Sequence, residues 1–420
     1  MEAFYRPRII DSTVEQYLRA FGAVCIEGPK WCGKTWTAQH HSKSSFFVGD
    51  PAGNFQNRQL AQIDPSLALK GSQPRLIDEW QEVPSLWDAV RFTVDQSPEK
   101  GQFILTGSAT PSQKGIMHSG TGRIARLRMM PMSLFESGDS SGIISLRELC
   151  AGFLENVLTG EVQLQSLASF ILRGGWPGNL QVSTEDAIKI PEQYLDNVVT
   201  NDVAKVDATK RDETKMRLLL RSLARNESTT ATIALLKRDI RGVEQLTLDE
   251  DTISEYLTIF TKLFIIENQK PFATAIRSSL RIKQAEKRHL VDPSFACSLL
   301  GITNTQRLIG DLQTFGFLFE ALCERDLKIY AQTFGANLLH YQDYSNDEID
   351  AVVEMADGSW SAFEIKLGAN QIDEAARKLL AISKKFERPP TTLCVLCGLS
   401  NAAYRRPDGV CVVPITALRP

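Results

Sequence analysis

The chain has 420 residues, of which 43% are hydrophobic and 23% charged, a composition that excludes a disordered, collagen-like or disulfide-stapled protein. The 47 lysines and arginines against 50 acidic residues give a formal charge of -3. No chain-wide positive field therefore indicates nucleic-acid binding, and any such site must be a local patch. The length predicts two to four domains.

The eight cysteines are sparse and irregularly spaced, and the N-terminal residues lack the apolar core of a signal peptide. Cys394 and Cys397 have metal-ligand spacing, but no second ligand pair accompanies them, so we interpret them as core residues. No apolar run is long enough to cross a bilayer. We expect a reduced, cytoplasmic protein without a membrane segment.

In residues 1–140, short apolar runs with β-like composition alternate with helical stretches, which predicts a parallel α/β sheet. The predicted strands are Ala23–Glu27, Ser45–Val48, Leu76–Glu79 and Phe103–Thr106. The first of them runs directly into an octapeptide that fits the G-x-x-x-x-G-K-[ST] pattern, and a helical segment follows it. The residues of this predicted P-loop are Gly28, Pro29, Lys30, Trp31, Cys32, Gly33, Lys34 and Thr35.

A loop of this kind turns successive backbone N–H groups onto phosphate oxygens, with Lys34 bridging the β and γ phosphates and Thr35 binding Mg²⁺. ATP and Mg²⁺ are therefore the predicted cofactors, and a plain glycine turn is the less favoured alternative. Further along, Asp78 and Glu79 close a short apolar run. Asp78 is placed to hold Mg²⁺ through water and Glu79 to polarise an attacking water.

The predicted strand ending at Thr106 has a polar tip that also contains Ser108, and either residue is a candidate to sense the γ-phosphate. The alternative is a turn after a buried strand. Arg123, Arg126 and Arg128 alternate with apolar residues. One of them would offer a guanidinium to a phosphate, within the chain or across the interface of a homo-oligomer, although solvated or salt-bridged arginines are equally favoured.

Residues 141–211 read as helices that form a lid or linker, and residues 212–300 as three helices and a hairpin, the pattern of a winged helix. Basic residues around the predicted wing would contact DNA phosphates, although a solvated face is equally favoured. These residues are Lys262, Lys270, Arg277, Arg281, Lys283 and Lys287.

Residues 301–420 read as a small α/β domain in which Asp350 precedes Glu364 and Lys366 in a D-x(n)-E-x-K arrangement. Side chains alternate along a strand, so Glu364 and Lys366 share a face while Phe363 faces the core. Asp350 and Glu364 would hold a metal, and Lys366 would orient or deprotonate a water that attacks a phosphodiester. A cross-strand salt bridge is the structural alternative.

The ordered set of motifs resembles the bacterial and archaeal AAA+ class ATPases whose C-terminal half is the domain of unknown function DUF4143. The resemblance rests on YRPRII, GPKWCGKT, LIDEWQ, FILTGSA, GRIARLRMMPMSLFE, RGGWPG, HLVDPSFACSLLG and FGFLFEALCERDL. It implies nucleotide binding at Lys34 and Thr35, Mg²⁺ and water positions at Asp78 and Glu79, and a nucleotide-facing segment that contains Arg123.

The C-terminal set resembles the PD-(D/E)xK nucleases, in which a glutamate on the first helix assists, and Glu320 matches that position. Gln371 matches another polar position of that family, whereas Ile349 stands where proline is frequent. The expected fold class is therefore multidomain α/β: a P-loop NTPase of AAA+ type, a helical lid, a winged helix and a restriction-endonuclease-like domain.

Three functions follow from these patterns. The first is an enzyme in which ATP turnover gates DNA binding and metal-dependent DNA cleavage. The second is a nucleotide switch that binds a protein partner or DNA without cutting, its nuclease fold serving as a scaffold. A small-molecule kinase is least favoured, because the Asp78–Glu79 pair suits water as the acceptor.

Overall fold

The structure, a computed structural model, describes residues 5–109, 116–206, 211–241, 248–273 and 285–420. The chain divides into two compact units. The first contains residues 1–131, 200–211 and 258–265, and the second contains residues 132–199, 212–257 and 266–420. Each unit has its own sheet covered by helices, so the predicted multidomain α/β class is confirmed.

Up to residue 131, the helices and strands are α1 (Asp11–Ala20), β1 (Ala23–Glu27), α2 (Lys34–His40), β2 (Ser44–Phe47), α3 (Ala52–Ile63), α4 (Pro65–Ala68), β3 (Arg75–Asp78), α5 (Ser85–Asp95), β4 (Phe103–Gly107) and β5 (Ile124–Arg128). From 132 to 211 they are α6 (Leu134–Ser137), β6 (Ile144–Ser145), α7 (Leu146–Cys150), β7 (Val157–Leu158), α8 (Leu164–Arg173), α9 (Thr184–Ala187), α10 (Lys189–Asn197) and α11 (Val203–Val206).

From 212 onwards they are α12 (Glu213–Arg225), α13 (Ile233–Arg241), α14 (Glu250–Lys262), β8 (Lys270–Pro271), α15 (Pro293–Leu299), α16 (Thr305–Ile309), α17 (Leu312–Gln332), β9 (Asn337–Gln342), β10 (Glu348–Glu354), β11 (Trp360–Lys366), α18 (Ile372–Ser383), β12 (Thr392–Cys397), β13 (Ala402–Arg405), β14 (Cys411–Pro414) and β15 (Leu418–Arg419).

The first unit is built on a five-stranded parallel sheet with the order β2-β3-β4-β1-β5. β1 and β4 are apolar along almost their whole length because helices cover both faces of a parallel sheet. Helix α5 buries Leu86, Trp87, Val90 and Val94 on one stripe, in the same core cluster as Phe103 of β4. Since all strands run in one direction, the ends of β1, β3 and β4 that carry the predicted site lie at the same edge.

The second unit contains an eight-stranded mixed sheet with the order β7-β13-β14-β12-β11-β10-β9-β8, and β6 pairs separately with β15. The β10–β11 pair is antiparallel, as the turn residues between the strands predict. Helix α18 packs on β11 and β12, while the long helix α17 contacts β9, β10 and β11. Both helices bury apolar stripes in this way, and β11 is buried along nearly its whole length.

Buried charged groups join distant segments of the second unit. The Arg325 guanidinium donates to Asp292 Oδ2 and to Asp326 Oδ1, both at a distance of 2.8 Å. Asp292 also accepts from the backbone N–H of Gly175 at 2.9 Å, and Asp326 accepts from that of Leu134 at 2.8 Å. Breaking a buried pair of this kind costs about 3–5 kcal/mol. Four segments that carry the sequence resemblance therefore meet at one buried arginine.

The predicted strands Ala23–Glu27, Ser45–Val48, Leu76–Glu79 and Phe103–Thr106 agree with β1, β2, β3 and β4 to within a few residues. β5, β6, β7, β8, β13, β14 and β15 were not predicted. In the described parts of residues 212–300 the structure has the helices α12, α13, α14 and α15 and the short strand β8, together with antiparallel bridges Ile266↔Leu290 and Gln269↔Lys287. A winged helix in this segment stays a prediction. None of the helices in the described ranges is long and apolar enough to cross a membrane.

Candidate functional site

The P-loop connects β1 to α2, and its backbone shape requires glycine at two points. Gly33 has a φ of 104°, which favours glycine, and caps the start of α2. A Cβ on Gly28 would lie 2.2 Å from the carbonyl oxygen of Met129. The Lys34 ammonium is buried and donates to the carbonyl oxygen of Pro29 at 2.7 Å. The lysine therefore folds back over the loop that it belongs to.

Trp31 and Cys32 occupy positions where small polar residues are common, and the structure accommodates each differently. Trp31 adopts a φ of 66° and is 63% exposed, so its indole ring points away from the core. Cys32 is buried, and its carbonyl oxygen accepts from Arg8 Nη1 at 2.5 Å. Lys30 forms an ion pair with Asp202 at 2.5 Å. Contacts at Lys30 and Cys32 therefore hold the loop on both sides of Trp31.

The acidic strand β3 delivers Asp78 next to the P-loop. Thr35 Oγ1 and Thr106 Oγ1 both donate to Asp78 Oδ1, at 2.8 and 2.7 Å. Thr106 reaches this carboxylate because β4 lies between β1 and β3. A hydroxyl and a carboxylate oxygen in contact are the hard ligands that Mg²⁺ takes together with nucleotide phosphates. The residues present therefore fit a nucleotide-bound Mg²⁺ at Thr35 and Asp78.

Glu79 follows Asp78 in a left-handed conformation, with a φ of 57°. Its N–H donates to Thr106 Oγ1 at 3.0 Å, and its carboxylate accepts from Ser108 Oγ at 2.9 Å. Gln81 Nε2 donates to the same carboxylate and, at 3.2 Å, to Ser108 Oγ. The sequence analysis missed Gln81, although its place in the turn directly after the acidic pair could have indicated it. Thr106, Ser108 and Gln81 therefore fix both carboxylates of the pair.

The three candidate arginines lie along β5 and its flank. The carbonyl oxygen of Arg123 accepts from Ala23 N, at the amino end of β1 and thus the edge opposite the P-loop. Its guanidinium pairs with Asp95 at 2.7 Å. The structure does not bring Arg123 to the predicted nucleotide site of its own chain, so only a role across an oligomer interface stays open for it.

Arg126 and Arg128 lie further along β5. Arg126 forms an ion pair with Glu27 and stands 4.3 Å above the Trp87 ring. Arg128 pairs in register with Glu27, the last residue of β1, and lies 3.9 Å above the Phe264 ring. Of the three, Arg128 is therefore closest along the strand to the P-loop.

In the second unit, the predicted nuclease-like residues come together. Asp350 lies on β10, and Glu364 and Lys366 lie on the antiparallel strand β11. Lys366 Nζ lies 3.2 Å from Asp350 Oδ2 and 2.9 Å from Glu364 Oε1. Lys378 of α18, not predicted, adds a third contact at 2.6 Å to Glu364 Oε1. The cross-strand salt bridge of the structural alternative is thus present.

Burial changes the expected chemistry of this set. Glu364 is only 1% exposed, whereas the Lys366 side chain on the same face is 26% exposed, so only the carboxylate is fully covered. Burial alone would lower the pKa of Lys366, but Asp350 and Glu364 outweigh it and raise that pKa. An ammonium held in this way does not remove a proton from water, which leaves only the orienting role for Lys366.

Lys287 belonged to the predicted DNA-contacting patch, but it is fully buried and cannot reach a phosphate. Its ammonium forms an ion pair with Glu320, contacts Glu324 Oε1 at 3.0 Å, and donates to the backbone carbonyl oxygen of Asp350 at 3.1 Å. Glu348 Oε1 lies 3.7 Å away. Burial would lower the pKa of Lys287, but these carboxylates raise it well above its usual value. Arg277, Arg281 and Lys283 of the same patch lie outside the described residues.

His289 extends this cluster. Its Nδ1 lies 2.9 Å from Glu227 Oε1 and its Nε2 lies 2.7 Å from Glu324 Oε2. Burial would lower the pKa of His289, but Glu324 and Glu227 raise it from 6.5 to about 9. The imidazole is therefore a cation at neutral pH, held between two buried carboxylates.

The predicted metal ligands Asp350 and Glu364 both lie next to lysine side chains. In the part of the chain that the structure describes, no three His, Cys, Asp or Glu side chains are arranged to hold a metal ion. Glu364 Oε2 is buried without a hydrogen-bond partner, but one such oxygen does not make a metal site. Glu320, Asp350 and Glu364 each contact an ammonium group instead. These carboxylates are therefore paired with cations in the described residues, and a divalent cation at Asp350 and Glu364 stays a prediction.

Three family models match the chain: an AAA domain over residues 20–137, a domain of unknown function, DUF8612, over residues 164–306, and DUF4143 over residues 315–418. The first match contains the P-loop and β5, and the last contains Glu320, Asp350, Glu364 and Lys366. This chain carries an AAA domain and a DUF4143 domain. The predicted P-loop NTPase of AAA type is confirmed at this level.

Two curated relatives are uncharacterized proteins of Mycobacterium bovis and Mycobacterium tuberculosis. Each is 25% identical over 352 residues, which covers 82% of this chain and 70% of the relative. A solved structure, the Walker-type ATPase of Pyrococcus abyssi, aligns with a TM-score of 0.43 and 15% identity, over 71% of this chain and 96% of that one.

The raised pKa of His289 makes the stability of the second unit depend on pH. Its contribution is fully present below pH 6.5 and is lost as the pH rises through about 9. A shift of this size corresponds to about 3 kcal/mol. We expect His289→Gln to lower the free energy of unfolding, measured with denaturant, much more at pH 6 than at pH 10.

His340 provides the matched control, because burial lowers its pKa to about 4 and it is neutral at both pH values. His340→Gln should change the free energy of unfolding equally at the two pH values. An equal effect of His289→Gln at pH 6 and pH 10 would show that His289 is not charged in the folded protein.

Proposed function

We propose that this protein binds Mg²⁺–ATP at the P-loop and hydrolyses it, and that the bound nucleotide switches partner binding by the DUF4143-containing half. The observation that supports hydrolysis is the hydrogen-bonded chain from Thr35 through Asp78 and Thr106 to Glu79 and Ser108. It links a phosphate-loop hydroxyl to a carboxylate that is fixed in place.

Each residue has a role in this proposal. Lys34 exchanges the Pro29 carbonyl oxygen for phosphate oxygens when nucleotide binds. Mg²⁺, when bound, neutralises phosphate charge, and Thr35 and Asp78 hold it. Glu79 orients the attacking water, and Ser108 with Gln81 keeps its carboxylate from turning away. Thr106 sets the spacing of the two acidic side chains.

For the C-terminal half we favour binding without cutting over metal-dependent DNA cleavage. The three carboxylates of the nuclease-like set contact ammonium groups, and Lys366 is held as a cation rather than a base. Burial of Lys287 removes one of the residues predicted to contact DNA. Both facts favour the switch, in which the nuclease-like sheet serves as a scaffold for a protein partner.

The ATPase proposal predicts opposite defects for two substitutions. Lys34→Ala should abolish ATP binding, because it removes the cation that holds the phosphates. Glu79→Gln should keep ATP binding and lower the rate of phosphate release about 10²-fold or more, since the water loses its orienting carboxylate. Nucleotide affinity and steady-state phosphate release measure the two effects.

Glu99→Gln is the control, because Glu99 is an exposed carboxylate of the same unit, distant in sequence from the P-loop. It should match the wild type in both measurements. Wild-type turnover by Glu79→Gln would remove Glu79 from the mechanism, and unchanged ATP affinity in Lys34→Ala would contradict nucleotide binding at this loop.

The switch proposal predicts no cleavage of single-stranded, duplex or branched DNA with Mg²⁺ or Mn²⁺, with or without ATP. Lys366→Ala should behave as the wild type in every lane. A pull-down with the ATP-loaded wild type should recover a partner that Lys34→Ala does not. Metal-dependent cutting that Lys366→Ala abolishes would establish the nuclease and overturn this choice.

A further inference from the structure

We infer that the Lys287 ammonium is the built-in cation of the nuclease-like cluster, so that this half of the protein is completed without a divalent metal. The inference deepens the proposed non-cutting role and rests on it. It explains, from residues of this chain, why we propose no metal-dependent cleavage for this half.

The ammonium has the surroundings of a bound metal ion. Oxygens from two secondary-structure elements converge on Lys287 Nζ: Glu320 and Glu324 from α17, and Glu348 with the backbone carbonyl of Asp350 from β10. The lysine is 0% exposed. Carboxylates and a carbonyl oxygen around one buried charge are the ligand set of a hard cation, but here a covalently attached ammonium ion supplies the charge.

The backbone fixes where this ammonium goes. Lys287 N donates to the Gln269 carbonyl oxygen at 2.9 Å, and Gln269 N donates back to Lys287 at 3.0 Å. The side chain therefore starts from a paired, strand-like position and leads inwards to the cluster. Rotation of the side chain into solvent would leave buried carboxylates without a counter-charge, at a cost of several kcal/mol.

Lys366 differs from Lys287 in its access to solvent. It also contacts Asp350 and Glu364, but its side chain is 26% exposed, so it has access to solvent. Lys287 has no such access. A divalent cation entering beside Asp350 would lie close to the fixed charge of Lys287, which donates to the backbone carbonyl oxygen of that residue, and unscreened repulsion between like charges is strong in a buried site.

The cluster also balances most of its charge without a metal. Six carboxylates are grouped with four cations: the carboxylates are Glu227, Glu320, Glu324, Glu348, Asp350 and Glu364, and the cations are Lys287, His289, Lys366 and Lys378. Burial raises the pKa of Glu320 and Glu348, which favours protonation of part of the excess. Removal of Lys287 would therefore leave one more negative charge without a counter-charge, which favours the binding of an added cation.

The test is Mn²⁺ binding to nucleotide-free, full-length protein, followed by the electron paramagnetic resonance signal of free Mn²⁺. We expect that any Mn²⁺ binding by the wild type is the same in Asp350→Asn. Lys287→Met, of similar length but uncharged, should bind Mn²⁺ at least about tenfold more tightly than the wild type. The double variant Lys287→Met/Asp350→Asn should lose that gain.

Lys328→Met is the matched control, because Lys328 is a half-buried lysine of α17 that pairs with Glu267 at 2.6 Å, away from Asp350 in the contacts described. It should not gain Mn²⁺ affinity. Wild-type Mn²⁺ binding that depends on Asp350 or Glu364 would overturn the inference, and so would a folded Lys287→Met without any gain.

If Lys287→Met does not fold, the thermal stability of the wild-type protein tests the inference. Its thermal midpoint without nucleotide should be the same in EDTA and in Mn²⁺, and a rise in Mn²⁺ that Glu364→Gln abolishes would contradict the inference. None of these measurements involves ATP. A failure of nucleotide switching can therefore be distinguished from a failure of the Mn²⁺ prediction.

Discussion

An ionised group that is removed from water must be surrounded by opposite charge or by hydrogen-bond partners, and this constraint organises both units of the protein. In the first unit, the buried Lys34 donates to a loop carbonyl, and Asp78 accepts from two hydroxyl groups. In the second, Arg325 lies between two aspartates and Lys287 among three glutamates. The same rule therefore gives a P-loop lysine whose hydrogen-bond acceptor can be replaced, and a buried cluster whose cations are each paired with carboxylates.

Lys34 and Lys287 differ in how easily their present hydrogen-bond and ion-pair partners can be replaced. Lys34 donates to a backbone carbonyl oxygen, which phosphate oxygens would replace at little cost in the proposed nucleotide site because phosphate is the stronger acceptor. Lys287 contacts charged carboxylates that nothing small and neutral can replace. A parallel sheet contributes the rest of the nucleotide site, because the order β3-β4-β1 places Thr106 between the P-loop strand and the acidic strand.

Local motifs made much of the fold and the nucleotide site predictable. The P-loop is contiguous, and β1, β3 and β4 are short apolar runs, so Lys34, Thr35, Asp78 and Glu79 could be placed from the sequence. β5 could not, because its arginines interrupt the apolar pattern, and the structure pairs Arg126 with Glu27 across the sheet. The nuclease-like triplet was also predictable, since Glu364 and Lys366 are two residues apart on one strand.

The role of Lys287 was not predictable, because a lysine in a basic run normally lies on the surface. Its partners come from 33 to 63 positions later in the chain, and only the packing of α17 against β9 and β10 brings them together. Lys378 was missed for a similar reason, because it contributes one ion pair to Glu364, a carboxylate that another element positions. Pairs of this kind depend on tertiary geometry rather than on sequence spacing.

The proposed switch requires that nucleotide at the P-loop changes the state of the DUF4143-containing half. Amide hydrogen exchange tests it most directly, by comparing nucleotide-free Glu79→Gln protein with the same protein loaded with Mg²⁺–ATP. We predict slower exchange at residues 28–35 and 78–81, together with a change in peptides of the second unit, such as those from residues 312–332. Protection confined to the first unit would contradict the switch, and the absence of any protection would contradict nucleotide binding itself.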